Sequence, residues 1–244
     1  MKYSKKILLG LVSVLALAAA GFVIWAETPY RPESPALAAM ESNAGVTVGR
    51  GSFTTFAPLG VEPITGFVFY PGARVDERSY AAPLREIAAR GYLVVLLSVR
   101  LNLAMFDVNA ARGVFKQYPQ VKHWAVGGHS LGGVAAAMFV KEHLEQVQGI
   151  IFWGSYPADD SLKTSALKVL SIYGTNDLGG IAKFQETRAR LPPSTKFVVI
   201  EGGNHAQFGD YGEQRGDSPA TISRAEQQAQ TVAAVTAFLN SLGQ

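Results

Sequence analysis

Trp124-Ala125-Val126-Gly127-Gly128-His129-Ser130-Leu131-Gly132-Gly133 decides how this chain is read. An apolar run leads into Gly-x-Ser-x-Gly, and an Ala-rich helical pattern, Val134 to Val140, follows. Strand, sharp turn and helix in that order lift the Ser130 hydroxyl clear of a sheet. They also aim the N-terminus of the next helix at whatever the hydroxyl attacks. Gly128 and Gly132 carry no Cβ, which lets neighbouring backbones close in on the turn. The pattern alone is a modest signal. With 25 glycines and 16 serines in 244 residues, chance supplies one match in roughly one such chain in six. The surrounding sequence has to supply the rest.

On either side, short apolar runs alternate with helical patterns. Val46–Val48 and Ser52–Phe56 read as a hairpin. Ile64–Tyr70 reads as a strand ending at Pro71-Gly72, and Tyr80–Arg90 as a helix ended by Gly91. Tyr92–Val99 is a continuous apolar run, as in a strand buried on both faces. Val108–Tyr118 reads as a helix. Gly149–Trp153, Lys168–Tyr173 and Lys196–Glu201 read as three further strands, with a helix at Ile181–Arg190 between the last two. A long helix, Thr221–Leu242, closes the chain. This alternation predicts an α/β fold: a mostly parallel sheet joined by right-handed crossovers and flanked by helices. No insertion is long enough for a lid domain.

A serine hydroxyl is a poor nucleophile at neutral pH unless a base takes its proton. The four histidines are His123, His129, His143 and His205. His205 follows the apolar run Phe197-Val198-Val199-Ile200, in the loop Gly202-Gly203-Asn204-His205, and is the candidate base. The chain order nucleophile, acid, histidine directs attention to the end of the preceding strand. There Leu170-Ser171-Ile172-Tyr173 runs into Gly174-Thr175-Asn176-Asp177. Asp177 is the candidate acid, with Asp159 and Asp160 as alternatives one strand earlier. Acyl chemistry also needs donors for a developing oxyanion. The Leu131 N–H, directly after the nucleophile, is one candidate. The other is the Ala73 N–H in Tyr70-Pro71-Gly72-Ala73-Arg74, with Gly72 or Arg74 one residue away in register. Tyr70, Asn102, Phe106, His129 and Phe208 are the candidate substrate-pocket residues, and His129 is expected to point away from the nucleophile.

Tyr70-Pro71-Gly72, Gly128-His129-Ser130-Leu131-Gly132-Gly133, Gly174-Thr175-Asn176-Asp177 and Gly203-Asn204-His205 fall in order, each at a strand end. Together they make residues 46–244 resemble the α/β-hydrolase superfamily, in its compact lidless branch of serine esterases and dienelactone-hydrolase-like proteins. The resemblance implies a Ser130-Asp177-His205 triad and no cofactor or metal. Two departures stand out. Dienelactone hydrolases use a cysteine where this chain has Ser130, and Tyr-Pro-Gly replaces the usual His-Gly before the oxyanion loop.

Ile7 to Trp25 holds no charge over 19 residues and follows Lys2, Lys5 and Lys6. As a helix it would extend about 28 Å, close to the hydrocarbon thickness of a bilayer. The basic flank predicts a cytoplasmic N-terminus and an exported body. Residues 1–25 therefore read as a signal-anchor. The alternative is a signal cleaved at Ala18-Ala19-Ala20, leaving a secreted or periplasmic protein. Residues 26–44, with Pro29, Pro32 and Pro35, read as a tether, and 45–244 as the catalytic domain. The chain carries 22 basic and 19 acidic residues; three of the bases and none of the acids lie in 1–26, so the body is balanced. Nothing there calls for nucleic acid. The absence of cysteine excludes disulfides, a thiol nucleophile and a thiolate metal site.

The expected function is cleavage of small or medium carboxylic esters through an acyl-enzyme, with the membrane as partner of the N-terminal helix. An acyltransferase or cofactor-free haloperoxidase on the same triad, and a non-catalytic membrane-anchored binding module, are the alternatives.

Overall fold

Apolar side chains alternate along Thr65–Tyr70, and that alternation places the sheet at the centre of the molecule. Phe67 and Phe69 point to one face, Val68 and Tyr70 to the other, and all four are fully buried. The computed structural model describes residues 2–243. Met1 and Gln244, which bound the expected segments 1–25 and 45–244, lie outside the described residues. So do the side chains of residues 2–5 and Ile7, including Lys2 and Lys5 of the basic flank.

Eight strands form one sheet: β1 (Val46–Arg50), β2 (Thr54–Pro58), β3 (Thr65–Tyr70), β4 (Leu93–Leu96), β5 (His123–His129), β6 (Gly149–Trp153), β7 (Lys168–Asn176) and β8 (Lys196–Asn204). Their spatial order is β1-β2-β4-β3-β5-β6-β7-β8. The β1–β2 and β2–β4 pairs are antiparallel and every other pair is parallel. Helices α3 (Ala81–Ala88) and α7 (Arg224–Leu242) cover the Phe67/Phe69 face. Helices α4 (Arg112–Gln117) and α5 (Leu131–Lys141) cover the other face, and α6 (Gly180–Thr187) joins β7 to β8. This is the α/β-hydrolase fold expected from the sequence.

The strand order turns back at β3. From β3 the chain goes outward to β4 and returns to β5 on the other side. In an open α/β sheet the crevice at that reversal, beyond the carboxyl ends of the strands, is where ligands bind. The Pro71–Val75 loop leaves β3 there and Ser130 leaves β5 there.

An N-terminal helix α1 (Lys2–Ala26) precedes the domain, and its Leu8–Ala26 part is long and apolar enough to cross a membrane. The segment 26–44 is not the free tether expected from its prolines. It includes α2 (Ser34–Ala39), whose Ala36 and Ala39, together with the following Met40, are buried in the core. Tyr30 pairs with Val75 as a parallel bridge: its N–H donates to the Arg74 carbonyl at 2.7 Å, and its carbonyl accepts from Asp76 N–H at 3.0 Å. The prolines bend a chain that the domain has packed against itself.

Candidate active site

Ser130 sits at φ 53°, ψ −124°, at the N-terminus of α5. Backbone of that kind costs an ordinary residue about 1–3 kcal/mol and persists only when its surroundings impose it. The surroundings here are explicit. The Ser130 N–H donates to the Trp153 carbonyl at 3.0 Å, and the Ser130 carbonyl accepts from Gly133 N–H at 3.0 Å and from the Ser155 hydroxyl at 2.6 Å. A Cβ at Gly128 would lie 2.6 Å from the Tyr70 carbonyl oxygen, and one at Gly132 would strike the Tyr70 and Pro71 carbonyls. The two motif glycines are the condition for β3, β5 and α5 to meet.

Asp177 and His205, the expected acid and base, follow the ends of the neighbouring strands β7 and β8. His205 Nδ1 lies 2.6 Å from Asp177 Oδ1. Both side chains are buried, so the pair is screened little by water. Asp177 also accepts from Leu178 N–H at 2.8 Å and Gly174 N–H at 3.3 Å, which fixes its carboxylate. The other ring nitrogen, His205 Nε2, is buried with no hydrogen-bond partner among the described residues. Asp159 and Asp160 do not join this group. They lie exposed beyond β6, where Asp159 faces Lys141 at 3.8 Å.

Gly154 packs against the Asp177–His205 pair and follows the residue that holds Ser130. Gly154 follows Trp153, which holds the Ser130 N–H, and it adopts φ +49°. A Cβ there would lie 2.9 Å from Asp177 Oδ2 and 3.0 Å from His205 Nδ1. His129, next to Ser130 in sequence, has its ring centroid 4.3 Å from that of His205.

The loop after β3 leaves one donor uncommitted. Gly72 N–H donates to the Tyr80 hydroxyl at 3.1 Å, and Arg74 N–H donates to the Asn102 carbonyl at 2.8 Å. Between them the Ala73 N–H has no such partner among the described residues, which favours Ala73 over its two neighbours in register. Leu131 N–H, in the first turn of α5, precedes any intrahelical bond.

The pocket expectations divide. Tyr70 is fully buried; its hydroxyl donates to the Val108 carbonyl at 2.5 Å and accepts from Ala111 N–H at 3.2 Å. Burial, with the charge of Asp107 adding, pushes its pKa above the ordinary range against the lowering effect of the Ala111 N–H. His129 is fully buried, with Nδ1 2.8 Å from the Tyr80 hydroxyl. Burial, then the neighbouring His205, hold its pKa well below the usual imidazole value, so it is neutral. Phe208 is fully buried over Trp153 and His129. None of these three has surface to offer a substrate. Asn102 and Phe106 do border open space, a cavity of about 490 Å³.

Three residues of the site escaped the sequence reading. Tyr80 ties His129 to the loop after β3. Gly154 makes room for Asp177 and His205. Asp217 holds the His205 loop by accepting from His205 N–H at 3.2 Å, Ala206 N–H at 2.7 Å and Ser218 N–H at 3.0 Å.

A profile of the alpha/beta hydrolase family matches residues 66–229, which runs from β3 into α7 and includes every residue of this site. The chain belongs to that family. Solved structures agree on the fold of this hydrolase. It is similar to a dienelactone hydrolase from Anabaena variabilis, with 19% identity over 82% of this chain and 97% of that one and a TM-score of 0.58. It is similar to the esterase domain of a Rhodothermus marinus protein, with 14% identity over 80% and 97% and a TM-score of 0.60. It is also similar to Est1E from Butyrivibrio proteoclasticus, with 12% identity over 82% and 99% and a TM-score of 0.57. Comparison with curated protein sequences finds no match.

Proposed function

We propose that this alpha/beta hydrolase is a membrane-anchored serine esterase whose catalytic domain lies outside the cytoplasm. The observation that carries the reading is the state of His205. One ring nitrogen is fixed by Asp177 at 2.6 Å and the other is buried and unspent, at the sheet edge where Ser130 is held in left-handed backbone. A base fixed in orientation, with its second nitrogen free, is what a serine nucleophile requires.

In this reading Ser130 Oγ attacks the ester carbonyl while His205 Nε2 takes its proton. Leu131 and Ala73 N–H groups receive the oxyanion. His205 then passes the proton to the leaving alcohol as the acyl C–O bond breaks. Water, deprotonated by the same nitrogen, releases the acid from Ser130. Asp177 holds the imidazole tautomer and stabilises the imidazolium. The anchor is supported by α1 itself. Its apolar side chains are uncovered along its length, Leu9, Leu15 and Leu17 being about 70% exposed, a surface suited to lipid rather than water.

Intact-mass spectrometry of the exported chain with a fluorophosphonate probe tests this. The expected result is one adduct, absent in Ser130→Ala and slowed in His205→Ala and Asp177→Asn. A folded wild-type protein that takes no adduct refutes the reading, and the unlabelled mass shows whether residues 1–20 are retained.

A further inference from the structure

The chain has four non-glycine residues with left-handed φ among those described: Ser130, Arg74, Leu101 and Asn102. Ser130 is accounted for by the turn after β5. The other three form one cluster, and it is tied to the end of α1. Arg74 N–H bonds the Asn102 carbonyl at 2.8 Å. The Arg74 guanidinium donates to the Trp25 carbonyl at 2.7 Å and the Thr28 carbonyl at 2.6 Å, and lies 4.5 Å over the Trp25 ring. Asn102 Nδ2 donates to the Ala26 carbonyl at 3.1 Å, and Phe106 meets Phe22 edge to face at 6.2 Å. The last turn of the apolar helix is thus clamped to the loops that follow β3 and β4.

The clamp fixes a depth. Phe22 precedes Ala26 by four residues and so lies about 6 Å inside that end of the helix. Phe106 sits at the level of Phe22. If α1 spans the bilayer, the 104–106 turn, with Met105 and Phe106 exposed, reaches the boundary of headgroups and acyl chains, where Trp25 is also at home. The cavity of about 490 Å³ opens at this level, between Glu27, Ser98, Arg100, Leu101, Asn102 and Phe106. Its volume suits a ligand of modest size, and its lining mixes charged and apolar groups as an amphiphile requires. Two contacts join its lining to the neighbourhood of Ser130. Asn102 holds the residue after Ala73, and the 104–106 turn lies against α5, the helix that Ser130 begins.

We infer that the substrate is a bilayer-resident amphiphilic ester, a long acyl chain on an alcohol, which reaches Ser130 through this cavity without crossing water. The inference rests on the anchored-esterase reading, and the chemistry is the same: the acyl C–O bond breaks, the acyl group passes to Ser130 Oγ, and the Ser130 proton leaves with the alcohol through His205.

The chain has no cysteine, so Phe106→Cys and Glu62→Cys each accept a single environment-sensitive fluorophore on the full-length protein. Glu62 is exposed in the loop before β3, at the opposite, amino-terminal end of the parallel strands. In phosphatidylcholine vesicles doped with nitroxide lipid, the label at 106 is expected to lose emission and the label at 62 to keep it. Equal emission at both positions overturns the orientation. Hydrolysis then tests the substrate: p-nitrophenyl palmitate in vesicles against p-nitrophenyl butyrate in buffer. The palmitate-to-butyrate ratio is expected to fall at least about tenfold in Phe106→Ser, through the loss of the apolar surface offered to the acyl chain, and to hold in Phe106→Leu. A ratio unchanged in Phe106→Ser, with Ser130 still taking fluorophosphonate, overturns the lipid substrate and leaves the esterase standing. No fluorophosphonate adduct overturns both.

Discussion

Gly154→Ala is the substitution that asks whether Asp177 and His205 work as one unit. The new methyl faces two separate costs. The backbone at φ +49° suits glycine and costs an alanine about 1–2 kcal/mol. The methyl carbon would also lie 2.9 Å from Asp177 Oδ2 and 3.0 Å from His205 Nδ1, both closer than ordinary van der Waals contact. Relief requires carboxylate and imidazole to retreat by about half an ångström, in a site where misplacement by about 1 Å is worth a hundredfold in rate. We therefore expect kcat/KM on p-nitrophenyl butyrate to fall about tenfold, and fluorophosphonate labelling of Ser130 to slow in proportion. Gly60→Ala is the matched control. Gly60 has φ +76° and open space where its methyl would go, so it carries backbone strain with no contact to the pair. Thermal unfolding should show both variants destabilised, and only Gly154→Ala should lose activity. If Gly154→Ala keeps wild-type kcat/KM while its Tm falls with that of Gly60→Ala, the Asp177–His205 pair is not the catalytic base.

Tyr80→Phe strands the Gly72 N–H and His129 Nδ1 together in the core, and should cost about 1–3 kcal/mol in urea unfolding; unchanged stability would show that both find other partners. Asp217→Ala frees the backbone of the His205 loop and should slow Ser130 labelling at least about tenfold; a wild-type rate would assign that loop's rigidity instead to Gln227, whose side chain accepts from Asn204 N–H at 2.9 Å and donates to the Asn204 carbonyl at 2.7 Å. His129, neutral because burial and His205 hold its pKa well down, makes stability depend on pH. Between that value and the usual imidazole pKa the unfolded chain binds the extra proton, so stability falls as pH drops below about 6.5, by at most about 1.4 kcal/mol per pH unit. His129→Asn, which keeps a polar partner for Tyr80, should flatten that slope in denaturant titrations; an identical slope would place the proton elsewhere. Glu77, Asp210 and Asp217, whose pKa values burial raises, act with the opposite sign at lower pH and cancel in the comparison.

The parts of this molecule that were legible in the sequence are those where local pattern and tertiary position coincide. A serine between glycines at a strand end turns out of the sheet, and an aspartate and a histidine following later parallel strands arrive at the same carboxyl end; β5, β7 and β8 deliver all three. Tyr80, Gly154 and Asp217 had no such signature, because what defines each is a partner brought in by the fold. Other misreadings had a usable signal. Tyr70 alternates with Val68 and so belongs to the face under α4 and α5 rather than to a pocket. Ala36, Ala39 and Met40 stand three and four residues apart, the stripe of a short helix, but the three prolines drew attention to extended chain. Phe208 could not have been placed. An aromatic just beyond a strand can turn up to a ligand or down to the core, and only the packing over Trp153 decides.

Strain in this fold is gathered at one edge, and what holds it there explains why residues 22–30 belong to the domain. Ser130 is kept in place by Trp153 and Ser155 from its own sheet. Arg74 and Asn102 hold each other, and each spends its side chain on the carbonyl-bearing end of α1. The backbone of the Ala73 loop is braced again when Tyr30 pairs with Val75. Remove the end of α1 and two left-handed residues lose the partners that offset their cost, next to the donor proposed for the oxyanion. The contacts begin at Phe22, two residues beyond Ala18-Ala19-Ala20. Cleavage there would release the protein from the membrane and still leave the brace in place. The proposed oxyanion loop therefore keeps its brace whether the chain is anchored or cut. What the cut would remove is the fixed depth of Phe106 at the bilayer surface, and with it the proposed route for a lipid ester.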